Sequence, residues 1–166
     1  MNITLIGMPG AGKSFVGKKL AEKLNYKFID VDNIIEEKTK LKLQELLDKY
    51  GEDKFLEIEE KTVLELGEID KCVISPGGSI IYSEKTMNFL KKISKIVFLY
   101  DTFENLNKRI KDKETRGMIG LKAKSFKDLF EERMVLYKKY ADITVNIPED
   151  LNADVVVEEI LKNFVY

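Results

Sequence analysis

The chain contains no histidine and only one cysteine, Cys72, in 166 residues. Those two scarcities exclude whole chemistries. Without an imidazole there is no Ser/His or Cys/His nucleophilic machinery, and structural zinc lacks its usual ligands. A lone cysteine closes no intrachain disulfide, and within the apolar run Cys72-Val73-Ile74 it reads as a buried structural thiol. Charge of one sign is also scarce, for 28 basic residues face 29 acidic ones and leave a formal net charge of -1. So even a balance supplies no general attraction to nucleic acid or to an anionic membrane, and any anionic ligand must be held by a local site. Long hydrophobic runs are missing too. Nothing approaches the roughly 18 uninterrupted apolar residues of a membrane-spanning helix, and the short apolar run of residues 1–6, with no basic region, is not expected to be a signal peptide. The expected location is cytoplasmic, with no membrane and no nucleic acid as partner.

What is present is a soluble composition, 44% apolar and 34% charged, at a length that suits one domain over residues 1–166. No internal repeat, low-complexity tract or flexible linker divides it. Short β-rich runs at residues 3–6, 28–30, 72–75, 96–100 and 143–146 alternate with segments of helical period near 13–24, 43–50, 54–66, 84–92, 103–111, 125–140 and 153–163. That alternation predicts an α/β fold, a five-stranded parallel sheet flanked by helices. Each strand is nearly all apolar, as a strand covered on both faces must be. One stretch breaks the pattern: DKETRGMIGLKAK, residues 112–124, carries two glycines and clustered charge between two helical segments. It reads as a lid.

The first strand runs into Gly7-Met8-Pro9-Gly10-Ala11-Gly12-Lys13-Ser14, two glycines flanking four residues and then Lys and Ser. Between a strand and a helix this is the phosphate-binding loop, where glycines let backbone N–H groups curl around phosphates and the helix N-terminus adds partial positive charge. Gly10, Ala11, Gly12, Lys13, Ser14 and Phe15 are the expected nucleotide contacts. Lys13 would bridge the β- and γ-phosphates of ATP, and Ser14 would place its hydroxyl on Mg²⁺. At the end of the second strand comes Asp30-Val31-Asp32. Strand alternation would put both carboxylates on one side, at the carboxyl end of the sheet where ligands bind in such folds. Two like charges so close call for a cation or a donor between them, such as Mg²⁺ and a substrate hydroxyl. The competing reading makes one of the two, Asp32 if taken alone, the N-cap of a helix starting at Asn33 or Ile34.

Taken together, GMPGAGKS, the D-V-D pair, the run G-E-x-x-F-x-x-I-E-E over residues 51–60, SPGGS over residues 75–79, Arg116, and Arg133-x-x-x-Tyr137 followed by Ala141-Asp142 resemble the shikimate kinases over nearly the whole chain. The resemblance implies a fold of the P-loop nucleoside monophosphate kinase type, with a lid over about residues 112–124 and substrate-binding helices over about residues 33–66. It implies an enzyme that phosphorylates the 3-hydroxyl of shikimate from MgATP in aromatic amino-acid biosynthesis; a monomer is the expected state. It further implies that Asp32 holds and deprotonates the acceptor hydroxyl and that Asp30 contacts the Mg²⁺ shell. Gly77 and Gly78 would approach the substrate ring, Arg109 would lie against adenine, Arg116 would close over the transferred group, and Arg133 would pair with the substrate carboxylate.

Three positions depart from the family pattern, all in the lid or on the acceptor side. Leu56 stands where the family has an arginine that helps to clamp the carboxylate, Ser79 replaces the third glycine of its loop, and Gly117 replaces the usual proline after the lid arginine. Loss of one arginine fork from a desolvated carboxylate site costs about 2–5 kcal/mol. A neighbouring lysine, Lys54, is the available compensation. The departures leave two further readings open: a kinase of the same family with another small hydroxylated substrate, and an ATP-binding module without turnover.

Overall fold

The structure, a computed structural model, describes residues 1–110 and 117–164. The apolar runs form five strands, β1 (Asn2–Ile6), β2 (Lys27–Asp30), β3 (Cys72–Ser75), β4 (Ser94–Tyr100) and β5 (Ile143–Asn146), in the order β2-β3-β1-β4-β5. Every pairing is parallel. Strands β1 and β3 are buried at every position, whereas β2 and β5 keep exposed residues because they are the sheet's edges. The expectation that each strand is covered on both faces therefore holds at the centre and fails at the rims.

Asn2 opens β1 and is buried. Its amide donates to the Ile69 and Ile93 carbonyls and accepts from the Cys72 backbone N–H, so one side chain ties together the segments entering three adjacent strands. Cys72 is itself buried and unbridged, as expected of a packing thiol.

The helices are α1 (Lys13–Leu24), α2 (Val31–Thr39), α3 (Leu43–Leu64), α4 (Glu84–Ile93), α5 (Phe103–Arg109), α6 (Phe126–Tyr140) and α7 (Ala153–Lys162), with a 3₁₀ turn at Gly78–Tyr82. The two helical segments expected at residues 43–50 and 54–66 are both present and meet at a kink within α3, where Gly51 (φ 81, ψ 173) leaves the helical conformation. The start of α2 differs from expectation. Helix α2 begins at Val31, immediately after β2 ends at Asp30. Its cap is Asp30, whose Oδ1 accepts from the Asn33 N–H at 3.1 Å, and not Asp32. Asp30 and Asp32 thus share a side of the site through a strand-to-helix turn rather than through strand alternation.

The chain order places the site. From β1 the connection runs to edge strand β2, while from its neighbour β3 it runs the other way to β4. The loops leaving β1 and β3 diverge and open a crevice at the carboxyl ends of these strands, where open α/β sheets bind ligands. Residues 117–124 of the expected lid form turns seated on α3, with the Gly117 N–H donating to Gln44 Oε1 and the Gly120 N–H to Glu52 Oε1. Its other part, with Arg116, lies outside the described residues. Gly117 has φ 65, which proline's ring forbids, so the family's proline is incompatible with this turn. Among the described residues no helix is long and apolar enough to cross a membrane.

Candidate active site

A cleft of about 420 Å³ occupies the crevice. The phosphate loop forms one wall, with Gly10 and Gly12 both at φ 85, a conformation that side-chain-bearing residues rarely adopt. Ala11 is buried beneath the loop, while Gly10, Gly12, Lys13, Ser14 and Phe15 line the cleft. Lys13 Nζ donates to the carbonyls of Gly7 at 2.8 Å and Met8 at 3.1 Å. Burial lowers the Lys13 pKa to about 8 against the opposing pull of Asp32, so at neutral pH the ammonium is largely kept and poorly hydrated. Ser14 Oγ donates to Asp30 Oδ2 at 2.9 Å. Asp30 therefore serves two elements: one oxygen caps α2 and the other holds the serine of α1.

Opposite the loop stands Asp32. The residue is partly exposed, yet its Oδ1 is the one buried side-chain nitrogen or oxygen without a hydrogen-bond partner among the described residues. Buried polar atoms are almost always partnered, so this oxygen asks for a donor from within the cleft. Burial, reinforced by the nearby Asp30 charge and opposed by Lys13, raises the Asp32 pKa to about 6.

The loop after β3 forms the floor. Gly77 and Gly78 line the cleft, and a side chain at either would crowd its neighbours, at Gly78 first Pro9 Cδ at 2.9 Å. A Cβ on Gly77 would lie 2.5 Å from Glu59 Oε2 and 3.0 Å from Asp32 Oδ1, and one on Gly78 would lie 3.1 Å from Arg133 Nη1. Arg133 is 1% exposed, unusual for an arginine, and is held by the Ile119 carbonyl at 2.9 Å and the Tyr82 hydroxyl at 3.3 Å. Tyr137, one turn further along α6, donates to the Gly78 carbonyl at 2.6 Å and fixes the glycine loop to the helix that carries Arg133. Burial pushes its phenol up to about 12, so it stays a donor.

Arg109 lines the cleft beside the phosphate loop, where it bonds the Gly10 carbonyl at 2.7 Å and the buried Asp101 carboxylate at 2.8 Å. Asp101 also accepts from the Thr102 N–H and the Asn105 amide. Two residues singled out for the acceptor side fall elsewhere. Leu56 lines an adjoining hollow rather than the cleft, and Lys54 is an exposed partner of Glu57 at 3.1 Å. Neither brings a cation to the cleft.

Glu59 is the residue sequence reasoning passed over as a site residue. It is 1% exposed, lines both the cleft and the hollow, and accepts from Ser79 Oγ with both oxygens, at 2.9 and 3.1 Å. Burial, helped by the Asp32 charge, raises its pKa to about 8. The available signal was its position one helical turn after the buried Phe55, which puts both on the inward face of α3.

The family model described as shikimate kinase matches residues 9–164. A shikimate kinase from Sulfurihydrogenibium is 38% identical over 160 residues, covering 96% of this chain and 95% of that protein. Among solved structures, the shikimate kinase from Acinetobacter baumannii in complex with shikimate superposes with a TM-score of 0.88 at 31% identity, covering 98% of this chain and 92% of that one. That from Aquifex aeolicus gives 0.83 at 34% identity, covering 99% and 96%.

Proposed function

The chain belongs to the shikimate kinase family, and from that premise we propose that its cleft transfers the γ-phosphoryl group of ATP to the 3-hydroxyl of shikimate. The observation that carries the reading is the pairing, in one cleft, of a phosphate loop with an unpartnered buried carboxylate oxygen on Asp32. A bound acceptor hydroxyl is a donor of the kind that oxygen lacks.

The roles follow from the chemistry of each group. Backbone N–H groups of residues 10–14 and the N-terminus of α1 receive the phosphates. Lys13, poorly hydrated in its buried seat, exchanges its loop carbonyls for phosphate oxygens and offsets the charge that develops during transfer. Ser14 and Asp30 present adjacent hydroxyl and carboxylate oxygens, a hard donor set that fits Mg²⁺ completed by phosphates and water. Bound there, the metal would neutralise phosphate charge.

Asp32 accepts the hydroxyl proton. Its pKa of about 6 leaves it mostly ionised at pH 7 yet a better base than an exposed aspartate. Arg133 faces the acceptor from α6 and meets its carboxylate, and Gly77 and Gly78 let the ring approach backbone. Arg109 borders the base of the nucleotide. Arg116 is assigned to the transferred group by its place in the family motif. Catalysis of this kind is positioning and charge stabilisation, with no covalent enzyme intermediate.

The test is ADP release from MgATP by the purified protein with shikimate and with a panel of other small hydroxylated acids. Saturable turnover with shikimate, at the highest kcat/KM of the panel, supports the reading. A better substrate elsewhere in the panel would replace shikimate as the acceptor. Bound ATP with no acceptor-dependent turnover would reduce the chain to a binding module.

A further inference from the structure

Glu59 has no role in the scheme above, yet it stands in the wall of the same cleft. Its carboxyl is held by one donor, Ser79, from the 3₁₀ turn. Its Oε2 and Asp32 Oδ1 lie 2.5 and 3.0 Å from the point where a Cβ on Gly77 would stand, so two carboxyl groups converge beside a glycine that lines the cleft. The charged groups around Glu59 are Asp32 from α2, Lys13 from α1 and Arg133 from α6, none of them bonded to it, while Glu60 on its own helix turns outward to Ser83 and Lys85. Two carboxylates and one shared glycine form a costly arrangement unless one carboxyl keeps its proton.

We propose that Glu59 is a specificity-determining residue on the acceptor side, donating a hydrogen bond from its acid form to an acceptor oxygen while Ser79 fixes the orientation of the carboxyl. The inference rests on the acceptor assignment above. The single Ser79 Oγ–H is shared between the two carboxyl oxygens and holds the group in place, and the acid O–H sits on Oε2, the oxygen beside Gly77 in the cleft wall. The buried acid of Glu59, with a pKa of about 8, is the form populated at neutral pH. A protonated carboxyl can meet a carboxylate or a hydroxyl without repelling either, which an ionised one cannot do for a carboxylate. With Leu56 in the adjoining hollow and Lys54 on the surface, the acid supplies a donor on the side opposite Arg133.

The experiment measures KM for shikimate and KM for ATP from pH 6 to 9.5 in wild type and in Glu59→Gln, Glu59→Ala and Ser79→Ala. Lys13 titrates in the same range, so the quantity read is the difference between Glu59→Gln and wild type. Wild-type KM for shikimate should rise several-fold above about pH 8. Glu59→Gln, which keeps a donor that does not titrate, should raise it about threefold at pH 7 and flatten the alkaline rise. Glu59→Ala should raise it tenfold or more at pH 7, with KM for ATP within about twofold throughout. Ser79→Ala removes a bond that favours the ionised form and should move the rise to higher pH. Equal losses in both Michaelis constants, or the same pH profile in Glu59→Gln as in wild type, would overturn the inference and leave shikimate as acceptor. A wild-type enzyme without shikimate turnover would take down the acceptor assignment and this inference with it.

Discussion

Lys13 and Asp32 face one cleft with opposite problems, an ammonium losing its hydration and a carboxylate lacking a donor, and each is relieved by one half of the reaction. Replacing Lys13 with Ala should lower kcat/KM by about a thousandfold or more, as expected when a preorganised counter-charge is lost from a water-poor site. Melting temperature should hold, since Lys13 bonds only its own loop. Activity within a few-fold of wild type would remove it from the mechanism. Asp32→Asn should cost about 10²–10⁴ in kcat, the usual contribution of a general base, with ATP affinity nearly unchanged. Collapse of ATP affinity with surviving turnover would make Asp32 a nucleotide ligand instead. Burial of Glu59 and Asp32 also has a stability signature. Their folded pKa values, about 8 and about 6, lie above the ordinary 4.5 and 3.8, so the native state holds more protons than the unfolded one across pH 4–8 and stability falls as pH rises through that window. Glu59→Gln should therefore melt close to wild type at pH 5 and about 4 °C or more above it at pH 8. Thermal scans of the unliganded protein showing no such divergence would mean that Glu59 ionises normally.

Among the elements, α3 governs the acceptor side, because its second half brings Phe55 and Glu59 to the cleft after the break at Gly51. The Gly51 backbone, at φ 81 and ψ 173, lies in a region essentially closed to other residues, although a Cβ there would meet nothing within 4 Å. Gly51→Ala should thus cost about 1–3 kcal/mol of stability through backbone strain alone. A denaturant midpoint equal to wild type would show that the bend is not required. The same element shows what was legible in the sequence. Glycine and flanking charge marked the interruption after residue 50, and the helical conformation breaks there, at Gly51. For α2 only the start was misplaced, at Asn33 or Ile34 instead of Val31: Asp30-Val31-Asp32-Asn33 has low helical propensity and reads as an alternating strand end, and the Asp30 cap that starts the helix is a side-chain hydrogen bond. Glu59 was hidden by its type, since a charged residue on a helix is normally solvated.

For the whole molecule, the strand count and parallel sense followed from the apolar runs, and the phosphate loop identified the carboxyl edge of the sheet as the site. Strand order did not, because it depends on which strands pair across the sheet rather than on any local pattern. The order β2-β3-β1-β4-β5 puts the loops after β1 and β3 side by side, so phosphate loop and glycine loop share one cleft although they are far apart in sequence. That shared cleft is the central claim: donor phosphate and acceptor hydroxyl meet in it. The direct measurement is phosphorus NMR of the wild-type protein with MgATP and shikimate. The account predicts a phosphomonoester resonance, coupled to the proton on carbon 3 of shikimate, that grows in step with ADP while inorganic phosphate stays at background. ADP accompanied only by inorganic phosphate, or an unchanged ATP spectrum with nucleotide bound, would contradict it.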